Sequence, residues 1–439
     1  MGGQSAAGSY AEERNFIDQA LDAGLDGSQA EALGKETAGY VGRTYGVPVS
    51  SGTAAMHLAL KLAGERLYGS AGGISAPEGL GRGGALYGKR VFCPDFAAME
   101  SVAPVVYEDG EPIFIDCGDG DWSMDPEVLE LAFRKYPEVR IVIMTHAYGF
   151  PGQVMEIKEV CHKHGALLIE DCAESLGAEV RTAHLWCKAG SFGDYTVLDF
   201  GPDRIVTGGT GGMLLTDDRY SAEKAHYWAY GARVSAPWDQ HEELGYSYRM
   251  GDLTAAMVRG QLRHLSENME KKKALYDRYA GRLEGDLASM IPIGEGTRPN
   301  YWTSCMTVQS GIGFRETRGE RDYTYVRQHG TAAPMEILEA LTAFYGAAGH
   351  CMCRSSWQGR PLYKPLSLQP LFRSHEAMTL DGGRRSYQHF YEDAYRVRCH
   401  RAKEYFEGGL CLPGEAEMTE EEQDQVIEVI YACYNGGMN

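Results

Sequence analysis

An α/β fold with a mostly parallel sheet is what the sequence predicts, in a large domain followed by a smaller α/β domain. Three observations carry the prediction. From Tyr40 to about Asp218, short apolar runs alternate with helical stretches, and runs buried on both faces with helices between them build a parallel sheet inside an α/β layer. Asp252 to about Glu284 then reads as one long amphipathic helix leading out of that domain. With 439 residues, 44% of them hydrophobic, the chain has enough apolar material for a large core and for two or three domains of ordinary size.

Taken in order, residues 1–35 form an amino-terminal arm and residues 36–250 the large domain. The runs read as strands are Val91–Pro94, Pro112–Asp116, Ile141–Met144, Ala166–Asp171 and Gly212–Thr216. Ligands of such sheets lie beyond the carboxyl ends of the strands, and Asp171 stands at one of those ends. The Gly-rich stretch from Gly69 to Gly84 has no apolar periodicity and reads as a surface insertion. Residues 251–284 are the connecting helix, with Leu253, Met257, Leu262, Leu265 and Met269 on one stripe and Lys271, Lys272 and Lys273 on the other. Residues 285–439 form the small domain, with a short strand near Val308, a helix from Glu336 to Leu341 and a final helix from Thr419 to Tyr434. Thr419 followed by Glu420, Glu421 and Glu422 is a capping-box start with acid in the first turn. Gly311 to Gly349 and Arg373 to Arg398 are longer and more irregular, and no internal repeat is visible.

Composition excludes some functions. A formal net charge of -19 argues against a nucleic-acid partner, since phosphate backbones are held by clustered Lys and Arg; a few local cations would still suffice for an anionic nucleotide sugar. Met1 to Gly8 has no apolar core of the kind a translocon reads, and no run approaches about 18 apolar residues, so a soluble cytoplasmic protein with no membrane partner is expected. The 11 cysteines are scattered through apolar segments as reduced core residues would be. His350 with Cys351 and Cys353, and Cys399 with His400, lack the paired C-x-x-C spacing of structural zinc, and no metal is expected.

Four stretches carry a more specific signal: Ser50 to Leu60 with Ser51-Gly52-Thr53-Ala54, Ile169 to Gly177 with Glu170-Asp171 and Ala173-Glu174-Ser175, Gly190 to Asp194, and Leu244 to Met250. Thr145 to Gly149, Arg360 to Pro370 and Leu410 to Pro413 extend the pattern over nearly the whole chain. Together they resemble the DegT/DnrJ/StrS sugar aminotransferases, fold-type I pyridoxal phosphate (PLP) enzymes of nucleotide-sugar and surface-glycan pathways. The resemblance implies a seven-stranded, mostly parallel sheet and a homodimer whose active sites draw on both subunits. It implies a cofactor phosphate at a helix amino terminus under Gly52, Thr53 and Ala54, where unpaired N–H groups and the helix dipole favour an anion. It assigns Asp171 to the pyridinium nitrogen, Glu174 to the same cofactor environment, and Arg249 and Arg360 to substrate.

The chain departs from the resembled pattern around the cofactor. Asp194 to Gly212 aligns without a gap, and the Schiff-base lysine position becomes Arg204. A guanidinium stays protonated and cannot condense with an aldehyde, and the nearest lysine, Lys188, precedes the Gly190–Asp194 landmark and is no obvious substitute. A phosphate-binding hydroxyl becomes Asp199, and a carboxylate about 4 Å from a phosphate costs about 4 kcal/mol per charge pair at an effective dielectric near 20. The stacking aromatic becomes Ala98, with Phe96 as a stand-in should the loop shift. Ser247 stands where an asparagine reaches the neighbouring subunit's phosphate, and Ser367 where a substrate-region histidine stands.

Asp199 and Arg204 are therefore expected to pair with each other. The readings that follow are a catalytically inactive scaffold or regulatory partner, including a heterodimer with an active paralogue; a pocket that holds PLP, pyridoxamine phosphate (PMP) or a nucleotide sugar without a covalent link; and a fold that binds an unrelated small molecule.

Overall fold

The computed structural model describes residues 10–69, 84–285, 288–308, 315–318, 323–326, 333–347, 359–372, 374–380 and 400–434. Most of the insertion expected at Gly69 to Gly84, most of Arg373 to Arg398, much of Gly311 to Gly349, and His350, Cys351, Cys353 and Cys399 lie outside the described residues.

Helices α1 (Ala11–Asp22) and α2 (Ser28–Val41) open the chain. The large domain follows as β1 (Tyr45–Val49), α3 (Gly52–Tyr68), β2 (Arg90–Pro94), α4 (Ala103–Tyr107), β3 (Glu111–Ile115), α5 (Pro126–Lys135), β4 (Ile141–Thr145), α6 (Val154–His164) and β5 (Leu167–Asp171). A hairpin of β6 (Glu179–Arg181) and β7 (Trp186–Lys188) precedes β8 (Tyr195–Asp199), β9 (Gly212–Thr216) and α7 (Arg219–Ala229). The main sheet runs β1-β9-β8-β5-β4-β2-β3 and gains an eighth strand, Ala377–Met378, parallel to β3. The pairs β2·β3, β2·β4, β4·β5 and β5·β8 are parallel, and β9 alone runs against its two neighbours. Seven strands match the expected count; the two-residue eighth comes from an irregular stretch with no alternation to announce it.

Alternation within a strand decides which layer each residue joins. Ile141, Ile143 and Ile169 point to the layer of α3 and α7, whereas Val142, Met144 and Leu168 point to that of α5 and α6. All five residues of β4 and of β5 are buried, which is why Ile141–Met144 and Leu167–Ile169 read as continuous apolar runs.

The expected single connecting helix is two: α8 (Asp252–Arg263) and α9 (Leu265–Leu283), divided at His264. The break changes the buried face. Leu253 is 45% exposed, and α8 buries Ala255, Ala256 and Val258 instead, partly under α1, whose Phe16 and Ala20 cluster with Ala256. The small domain has a sheet in the order Ala288–Met290, Cys305–Val308, Gly409–Cys411, Arg360–Pro361. Helices Pro334–Ala347 and Glu420–Tyr434 supply Ile337, Leu341, Val426, Ile427 and Ile430 to its core. The capping box forms as expected: Thr419 N donates to Glu422 Oε2 at 2.8 Å and Glu422 N to Thr419 Oγ1 at 3.2 Å. Among the described residues no helix is long and apolar enough to cross a membrane.

Candidate functional site

The site lies at the carboxyl ends of β4, β5 and β8, where the parallel strands deliver Thr145, Asp171 and Asp199 beside the amino terminus of α3. Asp171 is buried, with Oδ2 accepting from Ser101 Oγ at 2.5 Å and Thr145 Oγ1 at 3.0 Å and Oδ1 accepting from Ala173 N at 3.1 Å. Burial raises its pKa above the ordinary carboxylate value, against these hydrogen bonds and the positive charge of Arg204.

The other end of the site is charged. Ser51 caps α3 through its hydroxyl, which accepts from Ala54 N at 3.1 Å, and Gly52 N donates to Asp199 Oδ1 at 3.0 Å. The Asp199 carboxylate thus lies where a helix terminus favours an anion. Gly52 is needed for this approach, because a Cβ there would sit 2.7 Å from the Cβ of Asp199. The second oxygen of Asp199 accepts from Arg204 Nε at 2.8 Å, which is the pair expected from sequence.

Arg204 is held from three sides. Its Nη1 lies 3.5 Å from Glu174 Oε1, and its guanidinium carbon sits 4.9 Å from the centre of the Trp302 ring. Burial opposes the charge, but Glu174 and Asp199 outweigh it and raise the pKa further, so the guanidinium remains cationic. Glu174 is itself buried and accepts from Tyr148 N at 2.6 Å and Tyr363 Oη at 2.5 Å. Burial pushes its carboxyl up, with Arg204 as the main opposing influence. Arg360 also sits by Trp302, 4.8 Å from the ring centre, and its Nη1 lies 3.3 Å from Asp203 Oδ2.

Tyr148 closes this wall in an unusual backbone state. Its φ of 57° is left-handed, a strain of order 1 kcal/mol or more for a bulky residue, and it turns the Tyr148 N–H onto Glu174. The Tyr148 ring stacks on Tyr363 at 5.0 Å, and its hydroxyl accepts from Tyr363 N at 2.7 Å.

Of the residues singled out from sequence, the structure brings together Gly52, Asp171, Glu174, Asp199, Arg204 and Arg360, with Thr53 and Ala54 in the first turn of α3. Ser247 and Arg249 stand apart from them: Ser247 bridges to Tyr230, and Arg249 bridges to Val49 and lies over the Tyr230 ring. Ser367 is engaged elsewhere, donating from both N and Oγ to Asp95, which also meets His400 Nε2 at 2.8 Å. Phe96 is buried among Trp122, Tyr148, Tyr363 and Tyr405. Lys188 is occupied on the β7 hairpin, with Glu179 at 2.9 Å and Gly177 O at 3.3 Å. Ser101, Tyr148, Tyr363 and Trp302 were not singled out. Tyr148 and Tyr363 fall inside quoted motifs, whereas Trp302 has no local signal.

Residues 9–316 match the DegT/DnrJ/EryC1/StrS aminotransferase family. EpsN of Bacillus subtilis strain 168 is 30% identical over 96% of this chain and 93% of its own length. GDP-perosamine synthase of Escherichia coli O157:H7 is 24% identical over 81% of this chain and 88% of its own. A DegT DnrJ EryC1 StrS aminotransferase from Brucella abortus superposes with a TM-score of 0.73 over 99% of both chains at 19% identity, a likeness of fold.

Proposed function

This chain belongs to the DegT/DnrJ/EryC1/StrS aminotransferase family, and on that premise we propose that it serves nucleotide-sugar or surface-glycan biosynthesis without lysine-dependent transamination. The family is PLP-dependent. One observation carries the proposal: Arg204, which the resemblance sets at the Schiff-base lysine position, is held between Asp199 and Glu174, while Asp199 accepts from the Gly52 N–H at the start of α3.

PLP suits this pocket poorly. A cofactor phosphate brought to α3 would displace the Asp199 carboxylate or meet it at about 4 Å, a repulsion of about 4 kcal/mol at an effective dielectric near 20. The guanidinium offers no amine for the cofactor carbonyl. The chain's own residues supply what the ligand would: Asp199 provides the anion at the helix terminus and Arg204 the cation between two acids. We therefore read the protein as a non-catalytic subunit, a homodimer or the partner of a lysine-bearing paralogue, working in the cytoplasm and binding neither nucleic acid nor membrane.

The segment from Tyr230 to Leu253 supports a partnered surface, since Tyr230, Trp238, Leu244 and Leu253 are 38%, 64%, 65% and 45% exposed. It also carries Ser247, which the resemblance sets where an asparagine reaches the neighbouring subunit's phosphate, and Arg249. The test is borohydride reduction of purified protein with added PLP, followed by peptide mass analysis and native mass spectrometry. The expected result is a dimer with no specific pyridoxyl adduct; a stoichiometric adduct on one lysine, with turnover of an amino donor, would overturn the proposal.

A further inference from the structure

We propose that Cys305 and Cys411 are a redox-modification site, forming a reversible disulfide across two strands of the small-domain sheet when a hydroperoxide reaches them. The inference does not depend on the reading of Arg204. Cys305 and Cys411 are direct partners in the antiparallel ladder of Cys305–Val308 with Gly409–Cys411. Leu412 N donates to Ser304 O at 2.8 Å, which makes the adjacent Ser304 and Leu412 the hydrogen-bonded pair and leaves Cys305 and Cys411 as a non-hydrogen-bonded pair. Cα atoms of such a pair are about 4.5 Å apart, at the near end of the range a disulfide spans. The sulfurs are already 3.6 Å apart, with Cys305 Sγ the donor, so closing to a bond of about 2.05 Å calls for side-chain rotation rather than strand movement.

Charge then distinguishes the two thiols. Both are buried, and burial alone pushes each upward. At Cys411 the proton of Cys305 and the guanidinium of Arg360, which pairs across the sheet with Cys411, outweigh burial and hold the thiol below its ordinary range. Cys305 is pushed well above it. Cys411 is thus the attacking sulfur and Cys305 the resolving one.

The chemistry balances with hydrogen peroxide as oxidant. Cys411 gives up its thiol proton and its sulfur attacks one peroxide oxygen; the O–O bond breaks, and the departing hydroxide takes that proton to leave as water, giving a sulfenic acid on Cys411. Cys305 sulfur then attacks Cys411 sulfur; the S–O bond breaks and the hydroxyl leaves with the Cys305 proton as a second water. Two thiols have lost two electrons to the peroxide. The disulfide removes an ionisable thiol beside Arg360, whose Nη1 also lies 3.3 Å from Asp203 Oδ2.

The test is peroxide treatment of the folded full chain, alkylation of remaining thiols and peptide mapping. The expected product is one cross-linked peptide pair joining Cys305 to Cys411, lost again on adding dithiothreitol. Cys305→Ser should instead accumulate a dimedone-reactive sulfenic acid at Cys411, and Cys411→Ser should give neither product. Absence of the Cys305–Cys411 peptide from folded, peroxide-treated protein, or cross-links distributed among other cysteines at equal yield, would overturn the proposal.

Discussion

Asp171 and Asp199 end neighbouring parallel strands, β5 and β8, yet the two carboxylates are held by opposite means. Hydroxyls from Ser101 and Thr145 and one backbone N–H surround Asp171, and among the described residues no ion pair includes it. Asp199 is gripped by a guanidinium and by the first amide of α3. The Asp171 end is satisfied by neutral dipoles and can change its ligand at little cost. The Asp199 end is a closed circuit of charges, in which each member stabilises the others and the loss of one strands the rest.

The largest effect is expected from removing the cation. Arg204→Ala leaves the carboxylates of Glu174 and Asp199 without their guanidinium in a largely buried setting, and should destabilise the fold by about 3 kcal/mol in urea denaturation. A loss no larger than that of an exposed Arg→Ala control would mean that the circuit contributes nothing. A smaller loss, about 1 to 2 kcal/mol, is expected of Glu174→Gln, whose single amide oxygen still accepts from Tyr148 N while its NH2 meets a Tyr363 hydroxyl that can turn to accept, but which gives up the charge facing Arg204. Asp171→Asn should cost under about 1 kcal/mol, because both hydroxyls can rotate to suit an amide. If it costs as much as Arg204→Ala, the contrast between the two ends is wrong.

Acidity sharpens the same contrast. Burial raises the Asp171 pKa above the ordinary value of an aspartate carboxyl, so the native state binds that proton more tightly than the unfolded chain does. Stability carried by such a group falls as pH rises from the unfolded pKa through the folded one. The stability of the native protein relative to Asp171→Asn should therefore decline as pH climbs from about 4, as read by denaturation at a series of pH values. A difference that is flat or grows with pH would contradict the burial argument.

Much of this was legible in the sequence because it is local. Fully buried, largely apolar strands such as Ile141–Thr145 and the cap at Thr419 announce themselves within a few residues. The pairing of Asp199 with Arg204 followed from two replacements five positions apart at a strand end. What the sequence did not reveal is tertiary. Trp302 reaches Arg204 from a loop with no periodicity, and Ser367 turns to Asp95 because His400, far along the chain, completes that cluster. Ala377–Met378 is too short to show alternation. The division at His264 has neither Gly nor Pro to mark it, so the stripe through Leu253 looked continuous.

PLP titration of Arg204→Lys beside Arg204→Lys with Asp199→Ser tests the central claim most directly. In the single variant the new amine would still face Asp199 and Glu174, which hold it protonated, and Asp199 would still occupy the Gly52 N–H. The account predicts no stable Schiff-base absorbance for that variant at micromolar PLP, and measurable PLP binding once Asp199→Ser frees the helix terminus. A stable Schiff-base spectrum from Arg204→Lys alone would contradict it, because the pocket would then never have been closed by its own charges.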